Sequence, residues 1–490
     1  MKISGLFNRR ACTPPLWISL LPIAGLLIFL TAIIFVAGAD AISDFSTLSL
    51  LSATALSIVL AAAAGCLNSR GIKTGILRSA RQILPAVPML VCIAMVGTTW
   101  MLSGVVPILI EYGLQILNPT FFLVVTCVVC GVISVLTGSS WSTIATIGVA
   151  FMGIGTLMGF NAGWIAGAVI SGAYFGDKVS PLSDTTVIAS STCGVDLFDH
   201  IRYLMITSFP AMTIALLTFF IAGLHIEPMS QITETDILNQ LNDTFVLSPW
   251  VLLIPTITLI MIVLRIHTLV TLLCSSMLGL IGIFVFQPGI VEMLSSNGVM
   301  SMIGTVLWSG ATFNTGIPTF DDLISTSGIT GMLPTIYLVL CAMLFGAAMI
   351  GTGMLARVTS ELTSRMHGRF SLVGGTVCSG LFLNSCTADQ YLSIIIGGNM
   401  YRSAYKLFGL EPRLLSRTLE DSISVTSVII PWNSCGVTQS AVLGVSTFVY
   451  FPYCVFNYLS PLMSLLIAFT GFKIKQSVSA AYRSARASAA

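Results

Sequence analysis

The chain has 490 residues, of which 55% are hydrophobic and only 8% charged, with a formal net charge of +2 and a mean hydropathy of +0.96. Soluble domains carry about a quarter charged residues, so this composition excludes a soluble globular protein and requires a polytopic membrane protein. Apolar stretches recur at helix-spanning length instead of as the short alternating segments of a membrane barrel, so the fold class is all-α.

In chain order these stretches cover residues 16–38, 48–67, 83–110, 121–136, 144–160, 162–175, 203–224, 250–264, 269–286, 332–356, 372–383, 442–458 and 461–472. The first is too long for a signal h-region and many others follow, so it reads as an uncleaved helix despite Ala37-Gly38-Ala39. Asn242-Asp243-Thr244 matches a glycosylation sequon, a pattern short enough to arise by chance. Cys127 and Cys130 form a CxxC inside an apolar run, and the 12 cysteines as a whole read as packing thiols.

The basic residues fall in patches: Lys2, Arg9 and Arg10; Arg70, Lys73, Arg78 and Arg81; Arg357, Arg365 and Arg369; Arg402, Lys406, Arg413 and Arg417; and Lys473, Lys475, Arg483 and Arg486. Lys and Arg accumulate on the cytoplasmic side, so these patches are expected inside, with Arg202 and Arg265 marking two further inner turns. Acids without basic neighbours, such as Asp40, Asp44, Glu111, Glu227, Glu234, Asp236, Asp243, Glu292, Asp321 and Asp322, mark the opposite side. The expected organisation is a cytoplasmic segment 1–16, one transporter domain 17–472 and a basic cytoplasmic tail 473–490. Within the domain lie a first repeat at about 84–224, central helices 249–356 and a second repeat at about 370–472.

The repeat shows as a weak self-similarity at a spacing of about 250 residues, the signature left by inverted-repeat carriers. Thr137-Gly-Ser-Ser-Trp-Ser-Thr143 precedes Gly176-Asp-Lys-Val-Ser-Pro-Leu-Ser-Asp-Thr-Thr186 in one half. Asn384-Ser-Cys-Thr-Ala-Asp-Gln390 precedes Pro431-Trp-Asn-Ser-Cys-Gly-Val-Thr438 in the other. The segments around the 137–143 and 384–390 breaks look too brief to cross independently, so re-entrant hairpins are expected there and discontinuous helices at the second break of each half. Residues 225–248 read as the longest outward loop, and 307–330 as an outward loop or a partly re-entrant piece.

Charge at bilayer depth costs about 2.5–3.5 kcal/mol per Asp or Lys on insertion scales, and it marks ion or proton paths. Asp184, among Ser180, Ser183, Thr185 and Thr186, offers the hard oxygen shell that a sodium-like cation favours. A carboxylate in such a place holds a proton or a metal ion but not both with comfort, which is a physical basis for exchange. Asp177 and Lys178 adjoin it and read either as part of the site or as a structural ion pair. Ser139 and Ser140 belong to the first polar break; Asp389 with Asn384, Ser385 and Thr387 forms the matching half-site, to which Asn433 and Ser434 add ligands without an acid. Asp184 and Asp389 are thus the candidate sodium ligands, while Asp196, Asp199, His200 and Arg202 read as a solvated turn.

At these motifs, together with Ala388-Asp-Gln-Tyr391 and Phe456-Asn-Tyr-Leu-Ser-Pro461, the chain resembles the NhaC family of sodium/proton antiporters. The resemblance implies inverted repeats, re-entrant hairpins and exchange of sodium for protons across a bacterial inner membrane. It extends to exchangers similar to malate/lactate antiporters, so a small organic acid or amino acid is the alternative cargo, which Lys178 and helix N-termini could hold by its carboxylate. No cofactor and no nucleic-acid partner is expected; lipid, sodium ions and protons are, and a homodimer is compatible with the build. An intramembrane aspartyl protease or a channel would fit two buried acids less well, because neither needs hydroxyl-rich paired breaks.

Overall fold

The computed structural model describes residues 14–37, 42–67, 69–84, 86–225, 234–295, 298–315, 320–321, 324–364, 366 and 368–474. Among them the chain forms helices and no strands, as the composition requires. Eight helices are long and apolar enough to cross a membrane, or up to eleven spans when bent pairs count as one. Lys2, Arg9, Arg10, Asp40, Glu227, Arg365, Lys475, Arg483 and Arg486, with most of the 1–16 segment and the 473–490 tail, lie outside the described residues.

Helices α1 (Leu16–Ala37) and α2 (Ile42–Ala63) form a hairpin, followed by the amphipathic α3 (Ser69–Ile83) with its basic face. The single apolar stretch 83–110 is in fact two helices, α4 (Ala86–Leu102) and α5 (Val105–Ile116), bent by 65°. Gly104 makes the bend at φ 86°, a left-handed conformation that suits a residue without Cβ, and the Gln287 amide donates to the freed Ser103 carbonyl at 3.2 Å.

The first half comprises α6 (Pro119–Thr137), α7 (Ser140–Leu157, with a π turn at Ile144–Gly148), α8 (Ala162–Val179), α9 (Asp184–Cys193) and α10 (Leu197–His225). Helices α6 and α8 approach closely along glycines: a Cβ on Gly172 would lie 2.1 Å from the Cys127 carbonyl oxygen, and one on Gly176 would lie 2.3 Å from that of Gly131. Such small-residue seams are how membrane helices gain packing contact without a hydrophobic drive between them.

The central elements are α11 (Glu234–Thr244), α12 (Leu253–Val263), α13 (Thr268–Phe286), α14 (Pro288–Leu294), α15 (Val299–Trp308), α16 (Gly328–Gly351) and α17 (Met354–Ser364). The expected outward loop 225–248 therefore contains a helix, and its Leu241 and Phe245 are buried in the main core. Between α15 and α16, Thr315 donates through N and Oγ1 to Asp321 at 2.7 Å each, and Phe320 and Ile324 are buried, so the described part of 307–330 is a packed connection.

The second half contains α18 (Arg369–Thr387), α19 (Gln390–Leu407), α20 (Pro412–Leu419), a π turn at Glu420–Ser424, α21 (Ser434–Leu443), α22 (Thr447–Tyr450) and α23 (Val455–Thr470). It follows the first at a constant offset of 250 residues (387 − 137). The left-handed tip Gly138 (φ 67°) corresponds to Ala388 (φ 55°), and the C-cap Gly194 to Gly444. Hydrogen bonds recur at the same offset. Ser134 Oγ donates to the Ala173 carbonyl at 2.6 Å, and Asn384 Nδ2 to that of Ile423 at 2.7 Å. Ser140 Oγ donates to Asp177 Oδ2 at 2.7 Å, and Ser427 Oγ to Gln390 Oε1 at 3.2 Å.

The arms of both hairpins are longer than the sequence suggests: α6 and α18 have 19 residues each and α7 and α19 have 18. At 1.5 Å per residue each arm is about 27–29 Å long, close to the hydrocarbon thickness. Ser, Thr and Gly in α18 and α19 dilute the apolar signal that would have revealed this length.

Candidate functional site: a cavity between the two halves

Each hairpin tip is built from a Thr that ties the turn to the next helix. Thr137 Oγ1 donates to the Ser139 carbonyl at 3.2 Å and contacts Thr143 Oγ1 at 3.3 Å; Thr387 Oγ1 donates to the Asp389 carbonyl at 2.9 Å and contacts Ser393 Oγ at 2.8 Å. Ser139 and Asp389 then cap α7 and α19, accepting from Ser142 N at 3.3 Å and Leu392 N at 2.7 Å.

The tips rest on the broken helices. Gly138 packs so tightly on Leu182 that a Cβ would come within 2.6 Å, and Ser434 N donates to the Ala388 carbonyl at 2.8 Å. Pro181 and Pro431 occupy equivalent places in the two breaks, where a missing N–H and a fixed φ interrupt the helix.

A cavity of about 690 Å³ opens beside these tips. It gathers Ser139, Asp177, Asp184 and Thr185 from the first half with Asp389 and Ser434 from the second, while Arg265 and His267, both exposed, stand at the α12–α13 turn. Asp177 is buried and accepts from Ser140 N at 3.1 Å as well as from its hydroxyl; Asp184 is exposed at the first position of α9. Ser183 and Thr185 pair through their hydroxyls at 2.9 Å beside it. Each of the three acids corresponds to a serine at the equivalent position of the other half: Asp177 to Ser427, Asp184 to Ser434, and Asp389 to Ser139.

Other residues expected at the site serve its framework. Ser180 Oγ donates to the Val135 carbonyl at 2.7 Å, Asn433 Nδ2 to that of Asn384 at 3.2 Å, and Ser385 offers its carbonyl to Trp432 Nε1 at 2.8 Å. Among the described residues no group of three or more His, Cys, Asp or Glu could hold a metal ion, so a cation between Asp184 and Asp389 would complete its shell from hydroxyls, carbonyls or water. Ten described cysteines are free, and Cys66 is disulfide-bonded, which the packing-thiol expectation did not foresee.

Lys178 does not line the cavity. Its Nζ is paired with Asp421 and donates to Ser460 Oγ at 2.7 Å, while Asp421 Oδ1 also accepts from Thr207 Oγ1 and Ser460 Oγ at 3.0 Å each. Arg417 Nε stands 3.7 Å from Asp421 Oδ2, with its guanidinium 4.6 Å from the Tyr203 ring. Of the alternatives for Lys178, the ion pair is the one present, made to an acid 243 residues away that the sequence reading overlooked.

Arg417 corrects another expectation. Placed by sequence in a cytoplasmic basic patch, it is fully buried, as are Glu420 and Asp421. His200, expected on a solvated turn, is also buried and contacts Ser416 Oγ through Nδ1 at 2.8 Å, whereas Asp199 and Arg202 are indeed exposed. The repeat offset held the missing signal, since it aligns Glu420 and Asp421 with Ile170 and Ser171 in the middle of α8.

The Na+/H+ antiporter family matches residues 10–206 and 172–472, which together cover most of the chain. The chain belongs to the Na+/H+ antiporter family. It is similar to the Na+/H+ antiporter NhaC of Alkalihalophilus pseudofirmus, with 36% identity over 79% of this chain and 82% of that protein. It is also similar to the malate-2H+/Na+-lactate antiporter of Bacillus subtilis, with 30% identity over 82% and 84%, and to the arginine/ornithine antiporter ArcD of Halobacterium salinarum, with 33% identity over 93% and 92%. The NhaC resemblance read from the motifs is borne out, and this antiporter family member is a multi-pass membrane transporter rather than an enzyme.

Proposed function

We propose that the protein exchanges sodium for protons across the cytoplasmic membrane by alternating access, with the cavity as the cation site. The observation that carries this reading is the meeting of three carboxylates, Asp177, Asp184 and Asp389, from both halves in the lining of one cavity. Against the rim cation Arg265 they leave an excess of negative charge, which draws a small cation inward. Asp184, supported by Ser183 and Thr185, and Asp389, at the opposite tip, are the sodium ligands in this reading. If the basic turns face inward, the cavity opens to the cytoplasm through the α12–α13 turn.

The cavity volume favours a second reading. About 690 Å³ holds roughly twenty waters at about 30 Å³ each, more room than a partly hydrated ion needs. Relatives of comparable identity exchange malate for lactate, or arginine for ornithine, and three carboxylates also suit a cationic amino acid.

Flux through proteoliposomes separates the readings. The purified protein is expected to drive proton movement with sodium gradients and not with potassium. Proton movement that a sodium gradient alone fails to drive, and that appears only once malate, lactate, arginine or ornithine is supplied with or without sodium, would replace the first reading by the second.

A further inference from the structure

We infer that Glu420 is a proton-carrying site of the exchange, separate from the cavity that receives sodium. This rests on the sodium/proton reading and adds where the proton sits.

Glu420 is fully buried, and neither of its carboxyl oxygens has a partner at good hydrogen-bond geometry; the Ser424 hydroxyl, at the far end of the same π turn, is near enough to act on it and is likewise unpaired. An ionised carboxylate without a donor is strongly disfavoured in such surroundings, so the acid is held neutral in this conformation. It opens the π turn Glu420–Ser424, a helical irregularity absent from the equivalent stretch of α8, and π turns of this kind concentrate at functional positions.

The surroundings give the acid a means to ionise. Lys178 and Asp177 of α8 and its neighbour Asp421 are the charged groups that act on it. The other elements packed on the π turn present Asn384 and Gly380 from α18, Gly397 from α19, Asn457 and Ser460 from α23, and Thr207 from α10, behind which Tyr203 stacks on Arg417. Two further titratable groups belong to these elements: Asp184, which opens α9 and lines the cavity, and the buried His200 of α10, whose Nδ1 contacts Ser416 Oγ. The cluster holds two cations, Lys178 and Arg417, and two acids, Glu420 and Asp421. With Glu420 neutral it carries one excess positive charge; with Glu420 ionised it is balanced. Arg417 already stands beside the free oxygen of Asp421, so Lys178 can turn to Glu420 without stranding its present partner.

Asp177 and Lys178 are consecutive, and Asp177 lines the cavity while Lys178 faces the cluster. A sodium ion arriving beside Asp177 adds positive charge next to Lys178, which favours release of the Glu420 proton. The O–H bond of the acid breaks, its electron pair stays on the carboxylate, and the proton leaves to water. Protonation reverses these steps and lowers sodium affinity, so the two ions compete through the α8 pair without sharing ligands.

The test uses the full chain in proteoliposomes with Glu420→Gln, which mimics the neutral acid. Sodium-driven proton flux is expected to fall to the empty-liposome background, sodium/sodium exchange to persist, and the apparent sodium affinity to lose its pH dependence. Retained proton flux, or loss of both fluxes in a folded protein, overturns the assignment. Infrared difference spectra across a pH step provide a readout that does not depend on sodium transport. A protonated-carboxyl band should vanish on alkalinisation, be absent in Glu420→Gln and be shifted in Glu420→Asp. A band unchanged in Glu420→Asp overturns the inference even if Glu420→Gln does not fold. An unmodified protein with the Glu420 band but no sodium-driven flux instead refutes the cargo reading.

Discussion

Replacing Lys178 with Met tests the buried network most directly. Removing one member of a buried ion pair costs about 3–5 kcal/mol, because the other charge is left in a low-dielectric interior. Asp421 would retain two hydroxyl donors at 3.0 Å and the Arg417 guanidinium at 3.7 Å, which can close the remaining gap. The cost is therefore expected at the lower end, about 3 kcal/mol. The reciprocal Asp421→Leu change takes the present partner from both Lys178 and Arg417, of which only Lys178 has Glu420 to turn to, and should cost more, up to about 5 kcal/mol. The double variant should be less destabilised than the sum of the two by up to about 3 kcal/mol, the range of coupling for directly contacting residues. Denaturant unfolding of the detergent-solubilised protein measures all three. Additive single effects, or a Lys178→Met variant as stable as the parent, would refute the pairing and with it the partner exchange proposed for Glu420.

Asp184→Asn should leave the protein folded and abolish sodium-driven proton flux, since the side chain is exposed to the cavity and no hydrogen bond of the fold depends on it; normal flux in proteoliposomes would remove it from the mechanism. Ala388→Gly should stabilise by about 1 kcal/mol by relieving a left-handed backbone, whereas Gly138→Ala should destabilise by more than that, because its new Cβ would also press on Leu182. Thermal unfolding compares the two tips. Gly172→Ala should cost about 1–3 kcal/mol by forcing α6 away from α8, and a melting temperature equal to the parent's would show that the seam yields. Neutralising the exposed Asp199–Arg202 pair should change stability by less than about 1 kcal/mol in the same assay.

Much of this arrangement was legible in the chain because its chemistry is local. Apolar runs gave the spans, Pro181 and Pro431 gave the breaks, and Asp177, Asp184 and Asp389 announced themselves as acids inside apolar sequence. What stayed hidden depends on partners distant in the chain. Glu420 and Asp421 follow Arg402, Lys406, Arg413 and Arg417, so local composition reads as a cytoplasmic loop. Local composition hides them; the 250-residue offset, which sets these acids against the middle of α8, and the long-range bonds to Lys178, Thr207 and Ser460 reveal them as interior. His200 was obscured similarly, sharing its turn with the exposed Asp199 and Arg202 while one face of α10 carries it against Ser416. The helix in 234–244 was missed because its apolar positions are sparse; Leu241, with Phe245 just beyond its end, reaches the core from an otherwise polar element.

That a serine stands at the repeat equivalent of each cavity acid limits how much repulsion the cavity must bear. At the two positions where acid and serine both line the chamber, Asp184 with Ser434 and Asp389 with Ser139, identical halves would leave it with Asp177 and four further carboxyl groups or with Asp177 alone. Five would hold their protons against one another and release few places for a metal ion; one would attract it weakly. Because the acids are divided, two from one half and one from the other, the chamber keeps three carboxyl groups in its lining without crowding more there. Loss of symmetry in side chains thus sets how much charge a repeated backbone gathers in the cavity its halves share.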